Sequence, residues 1–294
     1  MTILVTGATG YIGREFVKAY SKDFKFIVLA RESSDINQLE LLNCTIEKYT
    51  DFEKIDEIFL QNNIDGVIHF ASNVVVEHTV NQIDSLIDSN IKFGVYLLEA
   101  CKKNNSKWFI NTGTFWQNYE SDHYNPVNLY ASTKEAFQDI AKYYTQTSSL
   151  IFTTIKLNDT FGANDPRPKI FNLWDKYSKS GEVLDMSEGE QIIDTSYIED
   201  VISAFKTMIE NLQKDNNVIY NNNSYIVTSN QKMSLKELAR LFEKITKRKL
   251  NINWGGRSYR EREVMKPYDK GILVPNWIQK YTLKEAIKKT IGEN

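Results

Sequence analysis

Tyr130 and Lys134 stand four residues apart in Leu129-Tyr-Ala-Ser-Thr-Lys134. On a helix that spacing puts phenol and ammonium on one face. A tyrosine ionises near pH 10, too high to exchange protons readily at neutrality. Lowering that by three pH units takes roughly 4 kcal/mol, about what a positive charge ~4 Å away supplies at an effective dielectric near 20. The pair is therefore expected to act on a proton, with Lys134 lowering the pKa of Tyr130. Thr112 and Thr114, at the end of Phe109-Ile-Asn-Thr-Gly-Thr114, offer hydroxyls to a carbonyl oxygen opposite the tyrosine.

A second constellation lies at the start of the chain. Thr6-Gly-Ala-Thr9-Gly10-Tyr11-Ile12-Gly13 spaces glycines at 7, 10 and 13, directly after an apolar run and at the start of a helical pattern. Backbone without Cβ approaches a pyrophosphate closely, and a helix N-terminus adds free N–H groups and a positive dipole end. The second apolar run ends Leu29-Ala-Arg31-Glu-Ser33-Ser34. An acid there selects NAD through the ribose 2′-hydroxyl. Arg31, with Ser33 and Ser34, suits a 2′-phosphate, so NADP(H) is favoured; Glu32 keeps NAD(H) open.

These groups need a scaffold. Apolar runs at Ile3–Thr6, Phe26–Ala30, Thr45–Glu47, Gly66–Ala71, Trp108–Asn111 and Ile151–Leu157 alternate with helical patterns at 12–20, 83–101 and 129–147. Strands apolar throughout, interleaved with helices, predict an α/β fold: a doubly wound parallel sheet of Rossmann type with helices on both faces. Beyond Leu157 the rhythm changes. The stiff loop Gly162–Pro168, a helix over 198–211, the Asn-rich loop Asp215–Ser224 and a helix capped by Ser234 and Glu237 follow. We expect a dinucleotide-binding domain over 1–157, with 190–220 returning to it. Residues 158–189 and 221–294 are expected to form a smaller mixed α/β substrate lobe.

The 294 residues are 41% hydrophobic and 25% charged, with 36 basic and 38 acidic side chains and a formal charge of −2. That is an ordinary globular composition, without the basic excess of a nucleic-acid or anionic-membrane surface. No apolar run approaches the ~18 residues of a membrane helix, and the N-terminus carries no secretory pattern. Cys44 and Cys101 lie far apart, so neither disulfide framework nor metal site is expected, and a cytoplasmic setting is.

Together these motifs resemble the extended short-chain dehydrogenase/reductase family over nearly the whole chain. The resemblance makes Thr112, Tyr130 and Lys134 the catalytic triad. It makes Asn90, in Asp88-Ser-Asn-Ile91, the helix asparagine of a water relay to the lysine. Val67-Ile-His-Phe-Ala71 matches the family's fourth strand, placing Phe70 and Ala71 beside the cofactor and Ser72 beside the substrate. Asp194-Thr-Ser-Tyr-Ile-Glu-Asp200 matches a further segment, with Ile193 where arginine is usual. Within the family the chain is most similar to bacterial nucleotide-sugar 4-ketoreductases of the CDP-abequose and CDP-paratose synthase kind. The 18 residues from Thr112 to Tyr130, Asn128-Leu-Tyr130 with Thr133-Lys134, and Arg260-x-x-Glu263-x-Met265 carry that likeness.

The resemblance implies NADPH-dependent reduction of the C4 ketone of a nucleoside-diphosphate 4-keto-6-deoxyhexose, in deoxysugar biosynthesis for surface polysaccharide. Phe115, Trp116 and Tyr124 are expected to wall the sugar, Asn158 to touch it and Arg260 to pair with the diphosphate. A homodimer through the helices of 83–103 and 129–147 is expected. The alternative is an NAD-dependent nucleotide-sugar 4-epimerase. A 4,6-dehydratase needs an acid pair that Gly113-Thr114 does not offer, and non-catalytic cofactor sensors of this fold lack the Tyr or Lys.

Overall fold

The computed structural model describes residues 1–214 and 217–292; Asp215 and Asn216 of the expected polar loop lie outside the described residues. Strands β1 (Thr2–Thr6), β2 (Lys25–Arg31), β3 (Thr45–Tyr49), β4 (Gly66–His69), β5 (Trp108–Thr114), β6 (Ile151–Leu157), β7 (Asn223–Val227) and β8 (Ile272–Leu273) form one parallel sheet. Its order is β8-β7-β6-β5-β4-β1-β2-β3. The order reverses between β1 and β4, and ligands of such sheets bind in the crevice beyond that point.

Residues alternate across each strand, and the two faces bury separate cores. On one, Leu4, Val67, Phe109 and Phe152 meet helices α2 (Phe52–Asn62), α4 (Phe93–Lys103) and α5 (Leu129–Thr147) through Ile58, Leu98 and Phe137. On the other, Val5, Ile68 and Ile110 meet Phe16 of α1 (Tyr11–Tyr20) and Phe205 of α7 (Ile198–Leu212). Every residue of β6 is buried, as a central strand covered on both faces requires. The second core runs on through Phe171, Trp174, Phe242 and Ile287 into the smaller lobe. That lobe is built on α6 (Ile170–Ser180), α8 (Leu235–Thr246) and α9 (Leu283–Ile291), with short strand pairs such as Leu184–Met186 against Ile252–Trp254. The expected capping box at Ser234 and Glu237 is formed.

Two expectations need correction. The boundary at 221 gives everything after it to the lobe, yet β7 pairs with β6 from Asn223↔Thr153 to Val227↔Leu157, and β8 extends the same sheet. Five residues behind an Asn-rich stretch are too few to show a strand period. The helical pattern over 83–101 is also interrupted. Helix α3 (Ile83–Ile87) leads into one π-turn, Asp88–Lys92, before α4. Such wide turns recur at functional sites.

Candidate active site

The glycine turn is shaped for close approach. Gly7 has φ +71°, and a Cβ there would lie 2.4 Å from the Ala71 amide nitrogen; one at Gly13 would lie 2.6 Å from the Gly7 carbonyl oxygen. Above the turn opens a cleft of about 580 Å³, within the usual range of ligand sites. Gly7, Thr9 and Gly10 floor it, Ala30, Arg31 and Ser34 line the far end, and Phe70, Ala71 and Ser72 line the near side. A cradle that any side chain would fill, with an exposed Arg31 at its rim, fits a dinucleotide.

Three expected cofactor residues sit differently. Ser33 is exposed and outside the cleft lining. Ile12 packs into the core, so only its backbone faces the turn. The Tyr11 side chain turns away, its hydroxyl donating to the Ala163 carbonyl at 2.9 Å. Tyr49, Phe93 and Tyr96 also line the cleft, and Tyr49 stacks on Phe93 with centroids 4.9 Å apart. Tyr49 thus stands where the family resemblance puts the adenine-side residue, and Phe93 and Tyr96 face the cleft.

Helix α5 begins at Asn128, whose side chain accepts from the Ala131 amide at 3.0 Å and donates to the Val76 carbonyl at 2.9 Å. This fixes the first turn, and with it Tyr130 and Lys134, both buried. The hydroxyls of Ser72 and Thr114 lie beside the Tyr130 phenol and favour its ionised form. Thr114 Oγ1 also accepts from the Trp116 amide at 3.3 Å, which leaves its proton for another acceptor. The Trp116 ring lies edge-on to Tyr130 at 6.2 Å.

The electrostatics run against expectation. Burial pushes the Tyr130 phenol above its ordinary value, the Ser72 and Thr114 hydroxyls pulling the other way, and Lys134 is not among the groups acting on it. Burial pushes Lys134 down to about 8. Desolvation penalises each charged form more than the partner repays. Lys134 Nζ is buried without a hydrogen-bond partner among the described residues, as is Thr112 Oγ1. Thr114, taken from sequence as a substrate contact, is thus the strand-end hydroxyl that meets the phenol; Thr112 does not.

Asn90, in the π-turn, is fully buried. Its Oδ1 accepts from the Asn73 amide at 2.7 Å and from Ser72 Oγ at 3.3 Å, and its Nδ2 donates to the Asn73 carbonyl and Thr133 Oγ1, both at 3.0 Å. The side chain is committed to holding these segments together.

On the side away from the glycine turn, Phe115 meets Tyr268 edge-on and Tyr124 is half-exposed. Asn158 Nδ2 donates to Asp194, a buried carboxylate that also accepts from Ser229 and Thr228, while Asn158 Oδ1 is buried without a hydrogen-bond partner among the described residues. Arg260 is exposed, and its backbone rather than its guanidinium meets Glu263. Arg262, two residues on, is the inward one. Its guanidinium lies 4.2 Å from the Tyr119 ring and donates to Asn125 Oδ1 at 2.6 Å. Lys156, also missed, is buried on β6 and donates to Asn118 Oδ1 at 2.8 Å.

A sequence model of the NAD dependent epimerase/dehydratase family matches residues 3–221. CDP-abequose synthase of Salmonella muenchen is 26% identical over 99% of this chain and 97% of its own, and that of Yersinia pseudotuberculosis 27% over 91% and 92%. Among solved structures, UDP-glucose 4-epimerase of Thermotoga maritima, with UDP-glucose, superposes with TM-score 0.85 at 21% identity, covering 99% of this chain and 98% of that one. UDP-glucuronic acid 4-epimerase of Bacillus cereus, in complex with UDP-glucuronic acid and NAD, gives 0.85 at 19% over the same shares.

Proposed function

The chain belongs to the NAD dependent epimerase/dehydratase family, and on that premise we propose that it reduces the C4 ketone of a nucleoside-diphosphate 4-keto-6-deoxyhexose with NADPH. The observation that carries this is the buried Tyr130 phenol, with the Ser72 and Thr114 hydroxyls acting on it beside a glycine-floored cleft. The relatives named CDP-abequose synthase, matched along nearly their full length, support the sugar class.

Bound NADPH supplies the hydride for the ketone carbon. The glycine turn would hold its pyrophosphate, and Arg31 and Ser34 its 2′-phosphate. Tyr130, kept protonated by burial, is the general acid that gives its proton to the developing alkoxide oxygen. Thr114 donates to that same oxygen as charge builds on it, where a preorganised donor helps most. Lys134, one turn along α5 from Tyr130, would hold the cofactor ribose. Phe115 and Trp116 wall the sugar. Arg262 is better placed than Arg260 to meet a diphosphate, having already turned inward. The working form is a homodimer in the cytoplasm, and the product enters surface polysaccharide.

The second reading is a 4-epimerase on NAD, favoured by the epimerase architecture of the structural neighbours. Incubation with NADPH and a panel of CDP-, dTDP-, GDP- and UDP-linked 4-keto-6-deoxy sugars decides. Stoichiometric NADPH oxidation with one of them is expected. Protein that purifies with NAD, interconverts sugars and consumes no NADPH is instead an epimerase.

A further inference from the structure

Four polar residues stand in register across four adjacent strands: Thr6 on β1, His69 on β4, Asn111 on β5 and Thr154 on β6. All are buried, on the face that α5 covers. Thr6 Oγ1 accepts from the Ala71 amide at 3.3 Å and lies 2.8 Å from His69 Nδ1. Its own proton is therefore free for Nδ1, which puts the imidazole proton on Nε2. Asn111 Nδ2 donates to Thr154 Oγ1 at 3.1 Å, leaving Oδ1 as an acceptor.

His69 Nε2, Asn111 Oδ1 and Lys134 Nζ are each buried without a hydrogen-bond partner among the described residues. A donor and an acceptor on directly paired strands thus lie beneath the helix that carries the cation, and Lys134 is close enough to act on His69 electrostatically. His69 and Asn111 are direct cross-strand partners. Phe137, one turn along α5 from Lys134, has its ring 5.6 Å from the imidazole. The rings of Phe93 and Phe109, each 5.7 Å from it, help close the spot to bulk solvent. Isolated buried polar groups are rare, and one water with two to four partners is the usual remedy.

We propose that His69 and Asn111 are positioning residues for Lys134, acting through one buried water that accepts from His69 Nε2–H and the lysine ammonium and donates to Asn111 Oδ1. The importance of Lys134 rests on the reductase reading; the water site does not. The water gives the ammonium an acceptor beneath the active site and so fixes where its charge lies. The titratable groups around Lys134 are His69 from the sheet and Tyr130 one turn back on its own helix. Asp88 and Lys92 of the adjoining π-turn are exposed and paired with each other at 3.3 Å.

Two measurements on the cofactor-free protein test this, neither needing a substrate. A high-resolution crystal structure should show one water within hydrogen-bonding distance of all three atoms. A dry site, or Lys134 Nζ bonded elsewhere, overturns the proposal. The Lys134 titration, followed by NMR on lysine labelled at Cε and assigned with Lys134→Met, should move to lower pH by about one unit, tenfold in acidity, in His69→Phe and Asn111→Leu. An unmoved midpoint in a variant that melts cooperatively overturns it too. If both variants fail to fold, the density decides. A failed reductase assay would leave these results standing.

Discussion

Asn90 Nδ2 donates to the Thr133 hydroxyl at 3.0 Å, joining the π-turn to helix α5 at the residue before Lys134. With the bonds to Asn73 and Ser72, this makes one buried amide the fastener of three segments. Asn90→Ala strands several buried groups at once and should cost roughly 2–4 kcal/mol. Urea unfolding measures this; a loss below 1 kcal/mol would show the segments hold without it.

The division of labour between two threonines is testable by rate. Tyr130→Phe should lower turnover at least ~100-fold with KM for the sugar little changed. Thr114→Val should lower it roughly 10- to 100-fold through loss of the carbonyl donor. Thr112→Val removes an unpaired hydroxyl and should leave the rate near that of the parent. Equal effects at 112 and 114 would return the role to Thr112.

Gly7→Ala asks for a Cβ 2.4 Å from a backbone nitrogen at φ +71°. Neither the turn nor the end of β4 can give that much. The variant should lose more than ~2 kcal/mol and bind NADPH at least tenfold more weakly. Calorimetry and fluorescence titration report the two effects separately.

Arg31 lies exposed at the cleft rim, while the nearest acid, Glu32, faces Lys48 at 4.0 Å. Arg31→Ser should lower kcat/KM with NADPH about tenfold more than with NADH, the loss of a charge-assisted pair with phosphate. Equal loss with both coenzymes would mean that the 2′-phosphate is not bound there.

Lys134 is held at about 8 by burial, below the ordinary 10.5. The native state therefore disfavours the ammonium. The penalty is complete below pH 8, fades as pH rises towards 10.5, and amounts to roughly 3 kcal/mol at neutrality. Lys134→Met should therefore raise Tm by several degrees at pH 7, with the advantage shrinking towards pH 10, while abolishing turnover. Calorimetry at the two pH values checks the sign.

The scaffold was readable because its strands are uniformly apolar and its helices periodic. Leu129–Thr147 was legible at both ends, and the glycine turn and the Tyr130–Lys134 pair announced themselves by spacing. What spacing does not carry is the path of the backbone at a strand's end. Thr112 and Thr114 share a strand face on paper. Only the turn Phe115–Gln117, begun by Thr114 as its cap, decides which hydroxyl meets the phenol. Arg260 and Arg262 differ in the same way, through an irregular segment that has no period. The Tyr130–Lys134 coupling failed on burial, which a sequence states only as a tendency.

Because β7 returns to the main sheet between the two arms of the lobe and β8 edges the sheet after it, the C-terminal half is not a detachable cassette. A chimera cut after Leu157 to import another enzyme's sugar preference would strip β6 of its neighbour and expose a buried strand edge. Specificity in this architecture has to be re-engineered loop by loop.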